Sequence, residues 1–359
     1  MDKLNGLHRK IISLHKYKHK NNAVARLVIV LAMTLALLPR DTRAGEYAAD
    51  FLRIGVGARA LAMGGAFTAL SDDATSFYWN PAGLTRVKNL AVHFDHVPMF
   101  GGISQFNSAS LTMGFDGRMA VNLSWIRLGV DDIPRYAPLQ GTRYDRLTRA
   151  QYRSTGEAEG TFANTDDAVM ISFSRTEYFD LYLGGGFSAN VIPAEFSMGV
   201  TAKYIRQSLD NAVGTGQGLD AGAMLRFVSS KQEDGQPDTW LGFGAMVRDL
   251  SRTRIIWSTS SKHQDNVQTA VQAGIAASKL FNPVRARLTL SFDKEFGFYQ
   301  ESRMGMEVTF FNLLSIRGGL YKNYFSAGAG ISIFGLNVDY AFVSGELDNT
   351  HRVSGSFYF

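Results

Sequence analysis

The sequence predicts an all-β chain, a closed antiparallel β-barrel that crosses a membrane, and three observations carry that expectation. After about residue 90, side chains alternate between apolar and polar over most of the chain. Period two is the mark of a strand, whose successive side chains point to opposite faces. The N-terminus reads as an export leader, and beyond it no apolar run is long enough for a spanning helix, which needs about 20 residues. Cysteine is absent. Small exported domains often depend on disulfides, whereas a barrel closes its own backbone hydrogen bonding.

In the leader, Lys3, Arg9, Lys10, Lys16, Lys18 and Lys20 precede the apolar run 27–38. Thr42 and Ala44 then stand three residues and one residue before an expected cut, giving a mature start at Gly45 and a signal peptide over 1–44. The formal charge of +5 belongs to this leader, because residues 1–44 hold nine Lys/Arg and two Asp, leaving 28 basic and 30 acidic residues in the rest. The basic pI is therefore no footprint of nucleic-acid binding.

The alternation is explicit in several stretches. Val284, Ala286, Leu288, Leu290 and Phe292 interleave with Arg285, Arg287, Thr289, Ser291 and Asp293. Phe196, Met198, Val200, Ala202 and Tyr204 interleave with residues such as Glu195, Ser197, Thr201 and Lys203. The expected strands are about 8 to 12 residues long, as tilted membrane strands require. Aromatics such as Trp125, Tyr182, Trp257, Tyr321, Tyr324 and Tyr340 gather near their ends, as interfacial girdles do.

Counted by pattern, about sixteen strands begin near 90, 105, 118, 167, 180, 195, 217, 239, 253, 267, 284, 302, 314, 324, 336 and 350. An even count brings both barrel ends to one side. The long connections 129–166, 229–238, 258–266, 294–301 and 344–349 then fall on the outer side, with 208–216 an exception among the inner turns. The longest, 129–166, carries Arg143, Arg146, Arg149 and Arg153. These are expected either to dock a partner or acidic polysaccharide, or to sit as solvated charges beside anionic headgroups.

Residues 45–89 depart from the pattern. They are rich in Gly and Ala, alternate poorly, and suit an element packed inside something narrow. The runs Gly57-Ala58-Arg59-Ala60-Leu61-Ala62-Met63-Gly64-Gly65-Ala66-Phe67, then Asp72-Asp73-Ala74, then Tyr78-Trp79-Asn80-Pro81-Ala82-Gly83-Leu84 resemble the N-terminal signature of the PorV/PorQ group within the FadL-type superfamily of outer-membrane transport barrels. Tyr340-Ala341-Phe342 and Thr350-His351-Arg352-Val353-Ser354 resemble that group's last strands.

The resemblance implies a fourteen-stranded barrel, 90–359, with 45–89 as a lumenal plug in which Gly64, Gly65, Asp72, Asp73, Asn80, Pro81 and Ala82 form the plug motif. Reconciling sixteen with fourteen would remove the candidate near 253 and one near 314 or 324. The resemblance further implies a non-enzymatic role, either as a shuttle or docking component of type IX protein secretion or as a passive channel for long-chain fatty acids and other hydrophobic molecules. Partners would be outer-membrane lipid, the barrel-assembly machinery, and either exported proteins and secretion components or a hydrophobic ligand, with no nucleic acid.

Other chemistry is poorly supported by the residues. Gly55-Val56-Gly57-Ala58-Arg59-Ala60 fits a dinucleotide fingerprint in letters but lacks the alternating strand–helix context that makes one. His93 and His96, three apart on a strand, face opposite ways and cannot chelate one ion. A barrel hydrolase would need a Ser or Asp near a His at one outward position, and His263 and His351, with Ser260, Ser261 and Asp348 nearby, make a thin case for it. No catalytic residue, cofactor or metal site is expected. At the end of the chain, Val353, Phe357 and Phe359 share one face of an alternating strand and resemble the signal read by barrel-assembly machinery.

Overall fold

In the computed structural model, the described residues are 48–359, excepting 154–155, 184–189, 230–236, 298–299 and 347. The expectation for the leader, 1–44, lies outside them. The chain from residue 90 builds β1 (Leu90–Met99), β2 (Ser104–Phe115), β3 (Met119–Arg135), β4 (Gly160–Leu183), β5 (Asn190–Leu209), β6 (Ala212–Val228) and β7 (Thr239–Arg248). Two short strands follow, β8 (Arg254–Trp257) and β9 (Gln264–Asn266). The wall then resumes with β10 (Ala270–Phe281), β11 (Ala286–Phe296), β12 (Ser302–Phe310), β13 (Leu314–Tyr321), β14 (Tyr324–Ile333), β15 (Leu336–Val343) and β16 (Thr350–Tyr358).

Among the described residues, fourteen of these strands form the wall, each antiparallel to its neighbours, and β16 closes on β1 through pairs such as His93↔Ser356 and Asp95↔Ser354. Closure leaves no edge, so the wall's backbone groups find partners without water. The near end of the barrel holds the start of β1 and the end of β16, with Ala91 opposite Tyr358. Two of its turns are short, Asp116-Gly117-Arg118 with three residues and Phe334-Gly335 with two. Asp116, Gly117, Phe334 and Gly335 all have φ between 50° and 82°, as a hairpin turn matching the strand twist demands.

The pattern count erred at two places, for a shared reason. The candidates near 180 and 253 are real β-structure that leaves the wall, whereas those near 314 and 324 are both wall strands. β4 pairs with β3 only as far as Arg175 but continues against β5 to Leu183, so the end of this ribbon projects beyond the near end. β8 and β9 pair with each other, and β8 also pairs with the first half of β6, extending the wall at the far rim. Alternation records a strand, not whether both its flanks are paired in the wall.

Several connections are corrected with the count. The longest loop is 136–159 rather than 129–166, and the connection expected at 208–216 is only the turn Asp210-Asn211. The connection 229–238, which joins β6 to β7, belongs to the near end and not to the outer set.

The faces are inverted relative to a soluble barrel. Phe94, Leu123, Ile171, Val200, Leu290, Met306 and Val353 point outward and are exposed, while Ser172, Thr201, Asp293, Glu307 and Arg352 point inward and are buried. An apolar surface circling the whole barrel is stable against hydrocarbon rather than water. His93 is buried and His96 exposed, on opposite faces as strand geometry requires.

Candidate functional site

The lumen is filled by residues 48–89. This plug consists of short helical turns, Asp50–Arg53, Ala58–Ala62, Ser76–Trp79 and Pro81–Arg86. It runs the length of the barrel. Arg53 meets Glu295 and Glu301 near the far rim, while the Val87 carbonyl lies against Gly114 close to the first near-end turn. Irregular backbone at membrane depth must have each polar group satisfied by the protein around it, and the wall's inward side chains supply those partners.

Asp293 accepts the N–H groups of Phe67 and Thr68 at 2.8 and 2.7 Å. Asp95 accepts from Gly57 and Ser354 from Ala58, both at 3.0 Å. These last two bonds occupy the turn that resembled a dinucleotide loop. Ser326 accepts the Gly64 N–H and donates to the Ala62 carbonyl, each at 3.0 Å.

The strongest lock is electrostatic. Arg59 grips Glu307 with two parallel bonds of 2.9 Å, and its remaining hydrogens reach Asp72 at 2.6 Å and Asp73 at 3.0 Å. Glu307 also accepts from Arg317 at 2.6 Å, and Arg317 donates to Asp339 at 2.7 Å. A forked guanidinium–carboxylate pair fixes geometry as well as charge. This chain ties the plug to β12, β13 and β15.

The motif residues gather along this plug, with different partners. Asp72 and Asp73 bind Arg59 of the plug itself, and Asp73 also accepts the N–H and hydroxyl of Thr75 at 2.9 and 2.6 Å. Asn80 is fully buried. Its Oδ1 accepts the Ala82 N–H at 3.2 Å, capping the turn that Pro81 opens. Its Nδ2 donates to carbonyls of Thr68, Ala223 and Ala245 at 2.8 to 3.3 Å. The wall makes room with glycine. A Cβ on Gly222 would lie 2.0 Å from Asn80 Oδ1, and one on Gly199 would lie 2.3 Å from the Pro81 carbonyl carbon. Gly64 has φ +65°, and its missing Cβ would strike the Leu320 backbone at 2.7 Å.

Sequence reasoning did not single out Arg59, Asp293, Glu307, Arg317 or Asp339. A signal was available: each wall residue among them is a charge at an inward position of an otherwise Ser/Thr/Gly-rich face.

The outer-loop arginines do not converge on one patch. Arg149 pairs with Asp145 at 3.2 Å, Arg146 donates to the Gly141 carbonyl at 2.6 Å, Arg153 reaches back to Leu147, and Arg143 is exposed. His263 meets Asp265 at 3.0 Å and His351 meets the Tyr340 hydroxyl at 2.7 Å. Neither histidine bonds a serine hydroxyl among the described residues. Val353, Phe357 and Phe359 are exposed on the outside of the barrel and at its near end.

Two cavities adjoin the plug near the far rim. One, of about 50 Å³, lies beside Lys203, Asp220 and Asp249, which form a buried ion cluster with both contacts at 2.9 Å. The other, of about 120 Å³, is lined by residues including Arg53, Arg303, Tyr78 and Trp79.

Residues 38–119 match the model of an uncharacterised protein family, UPF0164. No curated protein matches the chain. Among solved structures, the Pseudomonas putida toluene transporter TodX is 12% identical, with 85% of this chain against 98% of that one and a TM-score of 0.44. The monoaromatic hydrocarbon channel CymD is 10% identical, with 85% of this chain against 98% of that one and a TM-score of 0.39. CdiB from Escherichia coli is 8% identical over 75% of this chain and 63% of that one, with a TM-score of 0.37.

Proposed function

We propose that the protein is a non-enzymatic outer-membrane barrel, associated with transport or secretion, that works at its far rim as a PorV-like shuttle or docking component. One observation carries this reading: the lumen is blocked by a plug whose backbone and charges are bonded to the wall on several sides. A barrel so closed offers its loops, not a pore, to a partner. The apolar outer band and the closed hydrogen-bond network support residence in the lipid of an outer membrane.

The test has two arms. Barrels reconstituted in liposomes are expected to admit no labelled fatty acid, and cross-linking in outer membranes is expected to recover exported proteins or secretion components. Recovery of no such partner would sink the docking role. Rapid fatty-acid uptake would favour the second reading, a hydrophobic channel, for which the apolar and aromatic side of the 120 Å³ cavity, with Ile54, Leu61 and Trp79, is the supporting feature. The exposed Val353, Phe357 and Phe359 are assigned to barrel assembly. Deleting Phe359 is expected to reduce insertion into outer membranes, and unchanged insertion would remove that role.

A further inference from the structure

On the outside of the wall, β10 to β13 carry an elongated apolar trough of about 550 Å³. Its banks are two rows of outward side chains, each row running across the paired strands. Ala277, Leu290, Met306 and Gly318 make one bank, and Ile275, Phe292, Met304 and Leu320 make the other. Between them runs the row Ala276, Ser291, Gly305 and Gly319. Ala276 and Ser291 are buried on the lumen side and the glycines have no side chain, so the floor is bare backbone. The plug imposes those glycines. A Cβ on Gly305 would lie 2.6 Å from the Met63 carbonyl oxygen, and one on Gly319 would lie 2.1 Å from the Gly64 nitrogen. The first bank is low at Ala277 and Gly318, and a Cβ on Gly318 would meet nothing within 4 Å. Leu290, Met304, Met306 and Leu320 stand higher and are half exposed. Strand pairing beneath the trough is in unbroken register, which makes it a feature of the outer surface.

Position and shape select the occupant. The trough lies within the apolar band, and no charged side chain lines it. Its banks stand two residues apart along each strand, about 7 Å, and it crosses three strand intervals, about 14 Å. A cavity of about 150 Å³ takes one benzene ring, so this volume suits a longer and narrow apolar body. A second copy of the barrel fits poorly. Two copies upright in one membrane are related by a twofold axis that sets the same patch against itself. Trough against trough leaves a void, and the atoms lining a void lose their contacts. We propose that the trough binds one acyl chain of a membrane phospholipid and holds it longer than the lipid around it. A chain lying there touches both banks and the floor, whereas on the convex wall elsewhere it touches one side. Met304 and Met306 adapt to it through flexible thioethers. The proposal rests on the reading of the outer band as facing hydrocarbon and is independent of the docking role.

The experiment is electron paramagnetic resonance of the full chain in phosphatidylcholine vesicles that contain phosphatidylcholine spin-labelled on its acyl chain. The unaltered protein is expected to show motionally restricted lipid with a slowly exchanging component. Gly318→Leu, whose side chain enters open space, should fill the low bank and abolish the slow component. Ala277→Leu, at the other end of the same bank, should do the same and keeps the test open if Gly318→Leu does not fold. Ala329→Leu adds the same kind of bulk on the exposed face of β14, outside the trough, and should leave the slow component unchanged. A slow component unchanged in a folded Gly318→Leu or Ala277→Leu protein would overturn the proposal, and so would its loss in Ala329→Leu. Because the chain has no cysteine, Gly318→Cys places a single thiol at the trough for a short bismaleimide. Monomers are expected, and cross-linked dimers would overturn the proposal in favour of a second copy. An unaltered protein with no restricted lipid at all would remove the hydrocarbon reading as well, whereas restricted lipid that ignores the leucines removes the trough alone.

Discussion

The plug and the outer loop 136–159 are both irregular, both carry arginine, and both contain short helical turns, yet they are held in opposite ways. In the plug, Arg59 reaches across to Glu307 of the wall, and the N–H groups of Gly57, Phe67 and Thr68 end on wall carboxylates. In the loop, Arg146, Arg149 and Arg153 bond to their own segment. The difference follows from solvent. Water satisfies whatever the loop leaves unpaired, while a plug at membrane depth depends on the barrel for each partner. The plug is thus part of the wall's electrostatics, and changes to one should be felt in the other.

The largest test of that dependence is Glu307→Leu. Glu307 is the shared partner of Arg59 and Arg317, and removing one member of a buried pair costs about 3–5 kcal/mol because the remaining charge stays desolvated. The variant is expected to lose plug order before it loses the barrel, seen as protease cleavage within 48–89 and as new conductance in planar bilayers. A variant with an intact, protected plug would contradict the lock.

The outer face gives the next effect. Leu290 lies mid-strand in β11 and is exposed on the outer face; if that face meets hydrocarbon, Leu290→Arg should destabilise insertion by about 2–4 kcal/mol. Denaturant-dependent refolding into liposomes measures it. An equally stable Leu290→Arg protein would mean that this surface does not face hydrocarbon. Gly222→Ala should cost less, about 1–3 kcal/mol of overpacking, since its new Cβ would lie 2.0 Å from Asn80 Oδ1. Its signature is plug loosening without loss of the wall, read by hydrogen exchange of residues 76–86.

The sequence displayed the wall far better than the contents of the lumen. Alternation reports which way Ser291 and Asp293 point, because one strand's geometry decides that. It does not report which of the inward charges meet, because Arg59 and Glu307 are 248 residues apart and the pairing depends on closure of the whole sheet. The two miscounted strands follow the same rule. Near 180 and 253 the local pattern is genuinely β, and only the absence of a second wall neighbour distinguishes those segments. Within the plug, Asn80 and Pro81 entered only through the family resemblance; the cap that Asn80 places on the turn is local, whereas the need for Gly222 opposite it depends on the closed wall.

The smallest effect belongs to the loop and separates it most cleanly from the plug. Thr142 and Asp145 form a reciprocal cap on the helix Arg143–Thr148, with Asp145 accepting the Thr142 hydroxyl and N–H at 2.6 and 3.0 Å. These bonds hold the Asp145 carboxyl below its ordinary range. A carboxyl lowered by folding stabilises the fold above its unfolded pKa of about 3.9 and loses that contribution as pH falls through the lower, folded value. The cap should therefore hold at pH 5 and release only in stronger acid, and Asp145→Asn should remove the pH dependence. Hydrogen exchange of residues 142–149, corrected for intrinsic rates, measures it. Because Thr142, Asp145, Arg146 and Arg149 bond within their own segment, the plug's exchange should not change when the cap opens. A plug that loosened together with the loop would show that the two regions are coupled and would break the contrast between them.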